Sequence, residues 1–272
     1  MCEERFICIQ NCPFNNTRRG IDELVASPDG GIIGSVLTSK LMYCPVGNAP
    51  QNPAVIICGK TPSLATQKKF INLCKRGESI SSSAFKTVYS NMRKNLYRGL
   101  FKIGLFDYLG ATMPFWSQDD PEILWERIFE NEADSDSCGI QLTQACDCSI
   151  LRKRPDGTYD SQQPNRSTLN GLCKINSNCL FSSFIVSDAL KLVIFLDTPS
   201  NNRSFHQEHF FPKTLVGRLC AEQDIKVISI PHPSGANPIY NNLEKLTNPN
   251  AQRLFKDAAE TVAYLKRITD RI

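Results

Sequence analysis

The chain has 272 residues, 41% hydrophobic and 21% charged, which suits a globular protein with a sizeable core and excludes a disordered or collagen-like one. A net charge of +4 is too mild to decide for or against a nucleic-acid partner. Twelve cysteines, with no apolar leader expected behind Met1-Cys2-Glu3-Glu4-Arg5, argue against a secreted disulfide framework and for a chain of the cytoplasm or a nucleus, with metal or cluster ligation and burial as small hydrophobes as the two uses of its thiols.

No stretch approaches a membrane span. One large domain over 1–272 is expected, and Cys58, Cys74 and Cys220, set in apolar patterns, are expected to be small buried hydrophobes.

In chain order, Cys8 and Cys12 stand a helical turn apart, a spacing that can serve one metal centre but is weakly specific alone. Residues 27–52, rich in Gly, Pro and Asn, read as surface loop. The apolar run Pro53–Cys58 predicts a buried strand. It ends in Gly59-Lys60-Thr61-Pro62-Ser63, whose backbone N–H groups suit a phosphate or a base, although on this pentapeptide alone an ordinary strand-to-helix loop is the better reading. From Ser81, the spacing of Phe85, Val88, Tyr89, Met92, Leu96 and Leu100 predicts one helix, with Lys86, Arg93, Lys94 and Arg98 on a solvated face. Residues 111–137 read as an insertion with a helix at Pro121–Glu130 and an acidic end.

Ile140–Cys148 alternates like a strand running into a polar loop; 149–178 is a long basic loop, and 180–188 reads as a helix. Leu190–Leu196 is a third buried strand, Thr214–Gln223 a helix, and Val227–Ile230 a fourth strand. That strand delivers His232, one of three histidines, onto a stiff loop between Pro231 and Pro233, where open α/β sheets bind ligands. Asn248-Pro249 caps a last helix with Ala251, Leu254, Phe255, Ala258, Val262, Leu265 and Ile268 on its expected core face. The alternation of strands and helices predicts an α/β/α sandwich around a parallel sheet.

Four places taken in order resemble the uracil-DNA glycosylase superfamily, in particular its iron–sulfur family 4 and family 5 branch. They are Cys12-Pro13-Phe14 with Arg18, the Gly59–Ser63 turn as a G-x-x-P motif, Thr143-Gln144-Ala145-Cys146-Asp147-Cys148, and His232-Pro233-Ser234. The resemblance implies a three-layer α/β/α sandwich around a short four-stranded parallel sheet, with insertions near 111–137 and 150–178. It implies removal of uracil or another altered base from DNA by a monomeric chain. It also implies a 4Fe–4S cluster on Cys8, Cys12, Cys148 and Cys179, with Cys146 and Cys173 as alternatives to the last two, and structural zinc or no metal as alternatives to the cluster.

By the same resemblance, His232 hydrogen-bonds the base oxygen where negative charge grows, and Gly59, Lys60, Pro62 and Ser63 surround the base. Thr61 holds the attacking water, Gln144 reads the base edge, and Ser234 and Asn237 complete the substrate contacts. Two departures stand out: Lys60 and Thr61 occupy a turn where relatives carry an acid or Asn, and Gln144 replaces an Asn. They keep open a hypermodified base of foreign DNA as substrate, or a catalytically silent DNA-binding relative. Phe70 is a candidate stacking ring, and Ile239 or Tyr240 a candidate wedge.

Overall fold

The computed structural model describes residue 23 and residues 32–162, 167–168, 171, 180–181, 183–197, 211–234 and 237–270. Its strands are β1 (Ile32–Val36), β2 (Ser39–Tyr43), β3 (Val55–Gly59), β4 (Ile140–Gln144), β5 (Cys148–Lys153), β6 (Tyr159–Ser161), β7 (Leu192–Asp197) and β8 (Lys226–Pro231). Its helices are α1 (Leu64–Lys75), α2 (Ile80–Thr87), α3 (Arg93–Lys102), α4 (Leu105–Thr112), α5 (Pro121–Glu130), α6 (Glu132–Ser137), α7 (Leu215–Glu222) and α8 (Pro249–Thr269). The chain is thus mixed α/β and divides into two compact units: Met1–Ala49, Lys60–Val88 and Leu142–Phe184 form one, and Pro50–Gly59, Tyr89–Gln141 and Ile185–Ile272 the other.

The first unit is built on an antiparallel sheet in the order β1-β2-β5-β6. This corrects the reading of 27–52 as loop. The β1–β2 hairpin turns at Leu37-Thr38 with Leu37 in the left-handed region (φ 53°), where glycine or asparagine would have announced the turn. Cys148, expected in a loop, opens β5 opposite Tyr43. α1 packs on β5 and α2, with Phe70 buried on its core side.

The second unit contains β3, β7 and β8, paired in parallel from Val55↔Leu192 through Asp197↔Pro231. These belong to a four-stranded parallel sheet, in the order β4-β3-β7-β8, flanked by helices. Val55–Ile57 and Leu192–Leu196 are all at 0% exposure, which is why both runs read as continuous apolar segments rather than alternating ones. α8, capped by the Asn248 side chain, lies against β8, α4 and α3.

Two helix expectations fail. The stripe from Ser81 to Leu100 is not one helix: α2 stops at Thr87, Tyr89 adopts φ 49°, and α3 starts at Arg93. Residues 183–188 are not helical either. Ile185 donates its N–H to Gln141 Oε1 (3.0 Å), a long-range bond that replaces the helical one.

The segment 111–137 is no loose appendage. Trp116 and Trp125 are buried, pack on Phe106 of α4 at 5.0 and 6.1 Å between centroids, and donate their indole N–H groups to the carbonyls of Cys138 and Arg93. Nor do Arg93 and Arg98 form a solvated face. Arg93 lies over the Phe129 ring at 3.8 Å, where burial lowers its pKa to about 10, and Arg98 donates to the Tyr240 carbonyl (2.7 Å). Among the described residues no helix is long and apolar enough to cross a membrane.

Candidate functional site

The strand order gives the second unit a natural site. From β3 the chain passes to β4 on one side and later to β7 on the other, so the carboxyl ends of β3 and β7 flank a topological switch point. Loops leave such a point in opposite directions and open a crevice above the sheet. Gly59 ends β3, Asp197 ends β7, and His232 follows β8 directly.

His232 is half-buried, and its backbone is held at both polar atoms. Its N–H donates to the Asp197 carbonyl (2.8 Å), and its carbonyl accepts from Asn237 Nδ2 (2.9 Å). The bracing continues along the loop: the Pro231 carbonyl accepts from the Tyr240 hydroxyl, the Pro233 carbonyl from Asn95 Nδ2 (3.2 Å), and the Ser234 carbonyl from the Asn237 N–H (2.9 Å). Every carbonyl from Pro231 to Ser234 therefore has a named donor. The His-Pro-Ser loop is fixed before any ligand arrives, as a preorganised dipole must be.

This bracing gives several sequence candidates a structural part. Asn237 uses its amide on the loop itself, with Oδ1 also accepting from the Ile239 N–H (3.2 Å). Tyr240, expected as a wedge, is fully buried, and burial pushes its phenol pKa well up. Ile239 is 9% exposed and Phe70 1%, so both side chains belong to packed surfaces. Ser234 is half-buried.

At the end of β3 the structure adds a residue that the periodicity reading had absorbed into a helix stripe. Tyr89 is 3% exposed, and its phenol receives a hydrogen bond from the Gly59 backbone. Burial raises its pKa well above the ordinary value and the Cys58 thiol adds to that, while the Gly59 bond offsets part. A tyrosine in the left-handed region is an outlier of the kind that gathers near functional sites. Asp197, also passed over in the sequence, is 1% exposed. Its one sequence signal is a carboxylate ending an otherwise aliphatic strand.

The first unit brings the other predicted residues together. Cys146 donates its N–H to the Lys60 carbonyl (3.2 Å), which ties the Lys60–Ser63 turn to the loop after Gln144. Gln144 is 6% exposed; Lys60 and Thr61 are half-buried and Pro62 is buried. Ser63 is the N-cap of α1, accepting from the Thr66 N–H (3.1 Å). The Ala145 carbonyl accepts from Phe181 (2.7 Å), a buried residue at φ 63° that no sequence pattern marked.

Of the expected cluster ligands, Cys8, Cys12 and Cys179 lie outside the described residues, as do Cys173, Phe14 and Arg18. Cys148 is 7% exposed and Cys146 3%. Among the described residues no three His, Cys, Asp or Glu side chains group to hold a metal ion, so Cys148 stands as the one described member of that ligand set. Cys44 is fully buried; burial, then Asp147 and Cys74, raise its thiol pKa well above the ordinary value, which keeps it protonated. Cys58 and Cys220 are buried as expected, whereas Cys74 is half-exposed.

No protein-family model matches the chain, and no curated protein matches it.

Proposed function

We propose that this chain is a monofunctional DNA glycosylase with a uracil-DNA glycosylase-like α/β/α sandwich. Its substrate is DNA containing uracil or another deaminated or modified base, acted on by a monomer. The observation that carries the reading is the His232 loop, a histidine at the carboxyl end of a parallel strand whose flanking carbonyls are all hydrogen-bonded.

Breaking the bond between C1′ and the base nitrogen leaves a cation-like sugar and an anionic base, so a donor fixed in place beforehand contributes most at the moment of cleavage. The target base must leave the stack to reach it. His232 donates to the base oxygen, Gln144 reads the base edge with an amide one methylene longer than Asn, and Thr61 holds the water. Gly59, Lys60, Pro62 and Ser63 line the base, with Lys60 suited to a neighbouring phosphate, and Ser234 and Asn237 keep the histidine loop in shape. A 4Fe–4S cluster held by Cys8, Cys12, Cys148 and Cys179 belongs to this reading as a structural element, and no catalytic step passes through it.

The Gln144 amide, projected one methylene further than that of Asn, offsets the pocket and favours a base differently substituted from uracil, including a hypermodified base of foreign DNA. The absence of a carboxylate from Gly59–Ser63 favours a second reading, a DNA-binding relative without catalysis. Oligonucleotides carrying uracil, hypoxanthine, xanthine or modified cytosines, incubated with the protein and cleaved with alkali, separate the two. An abasic product that His232→Ala abolishes supports the enzyme. Tight DNA binding with no product from any base supports the silent relative.

A further inference from the structure

The Gly59–Ser63 turn offers no carboxylate, yet hydrolysis needs a group to take the proton of the attacking water. We infer that Asp197 supplies it, as the catalytic base at the carboxyl end of β7; this rests on the glycosylase reading above.

Three observations carry the assignment. First, Asp197 is 1% exposed, directly after five aliphatic or aromatic residues at 0% exposure. A buried carboxylate is costly, and packing alone would favour an aliphatic residue there. Buried ionisable groups at such positions are concentrated where chemistry is done.

Second, Asp197 sits at the switch point and is adjacent to His232, whose N–H its own carbonyl accepts at 2.8 Å. The backbones of the two residues are therefore held together by this bond at the ends of adjacent strands.

Third, the register places it on a defined face. Cys58, Phe195 and Ser229 are aligned across β3, β7 and β8, and the two-residue period of a strand puts Asp197 on the Phe195 side. Among the described residues, titratable groups at the neighbouring strand ends include the Cys58 thiol of β3, the Tyr89 phenol bonded to Gly59, and His232 after β8.

In the reaction, the C1′–N bond breaks and its electron pair leaves with the base, held by His232. Water oxygen bonds to C1′, its proton passes to the Asp197 carboxylate, and the carboxyl later returns that proton to solvent while the departed base anion takes one up from solvent. The products are the free base and an abasic sugar, with no oxidant or reductant consumed.

The test uses the full chain and the oligonucleotide that the panel identifies as its best substrate, followed as single-turnover base release. Asp197→Asn keeps the shape and removes the base; its rate should fall about 100-fold or more, as loss of a general base does, while oligonucleotide affinity stays within threefold. Asp197→Ala should regain activity with added formate, and His232→Ala should not. Thermal melting confirms that each variant is folded. If Asp197→Ala does not fold, Asp197→Glu takes its place and should retain more activity than Asp197→Asn, since only the first keeps a carboxylate.

Asp197→Asn at wild-type rate with His232→Ala inactive overturns the role of Asp197 and leaves the glycosylase intact. A folded Asp197→Ala that is inactive and deaf to formate does the same. Wild-type protein that releases no base from any oligonucleotide overturns both.

Discussion

The His232 carbonyl and the Asn237 side chain, five residues apart, close the His-Pro-Ser loop on itself through a 2.9 Å bond from Nδ2, while Oδ1 of the same amide caps the Ile239 N–H. One side chain thus satisfies a carbonyl and an N–H that would otherwise turn toward the protein interior. Asn237→Ala removes both bonds and should cost about 1–2 kcal/mol in a denaturant titration. Asn237→Asp keeps the acceptor for Ile239 but sets a carboxylate oxygen against the His232 carbonyl, so its stability loss should be at least as large at neutral pH and ease as the carboxylate is protonated. On the glycosylase reading both variants slow base release, because His232 is then free to drift from its aim. Equal stability for Asn237→Ala and wild type would mean that the loop is held without this amide.

A second prediction concerns Gly99, a glycine inside a helix. In α3, a Cβ on Gly99 would lie 2.9 Å from the Tyr240 hydroxyl and 3.1 Å from its Cε1. In an open helix, Gly→Ala is stabilising by roughly 0.5–1 kcal/mol. Here Tyr240 is fully buried, bonded to the Pro231 carbonyl and packed on Phe255, so it has little room to yield. Gly99→Ala should therefore be net destabilising by about 1–3 kcal/mol, the usual scale of overpacking, with a lowered Tm. A Tm at or above that of wild type would show that Tyr240 can shift without cost.

The metal proposal has a direct optical test. Purified protein should be brown with a broad visible absorption, and Cys148→Ala should bleach it. Cys146, whose N–H is tied to the Lys60 carbonyl, is the internal control. Bleaching by Cys146→Ala alone would transfer the ligand role to that residue, and a colourless protein carrying one equivalent of zinc would refute the cluster.

How far the sequence led depends on which physical signal each segment carries. β3, β7, α5, α7 and α8 were legible because burial on all sides, or a capped apolar stripe, leaves a mark within one segment. The β1–β2 hairpin was not, because Leu37 adopts the turn conformation without the glycine that signals it. The break between α2 and α3 was hidden for a related reason: Val88 and Tyr89 continue the helical spacing, yet Tyr89 adopts the left-handed conformation and its phenol bonds to Gly59, far away in sequence.

At the site, His232 stood out through its two flanking prolines. Asp197 did not, since a lone acid after an apolar run looks like the first residue of a loop until the β7–β8 pairing extends through it. The strand order that places Asp197 at a switch point, with His232 one strand beyond it, is a tertiary fact with no local trace.

Buried thiols give the fold a pH limit. Burial raises Cys138 to about 12 and Cys220 to about 11, both from an ordinary value of 9.0, and pushes Cys44 well up as well. A thiol whose folded pKa lies above its unfolded one binds its proton more tightly in the native state. Its contribution is complete below pH 9 and lost as pH rises from 9 toward the folded value, at up to about 1.4 kcal/mol per pH unit for each group. The phenols of Tyr89, Tyr108 and Tyr240, also raised by burial, act in the same direction above pH 10. Denaturant midpoints should therefore be flat from pH 7 to 8.5 and fall steeply above 9. Cys138→Ala should lower stability at pH 7 and shallow the alkaline slope, since it removes one of the buried thiols that must ionise. A wild-type midpoint unchanged to pH 10.5 would mean that these thiols are reached by solvent in the native state.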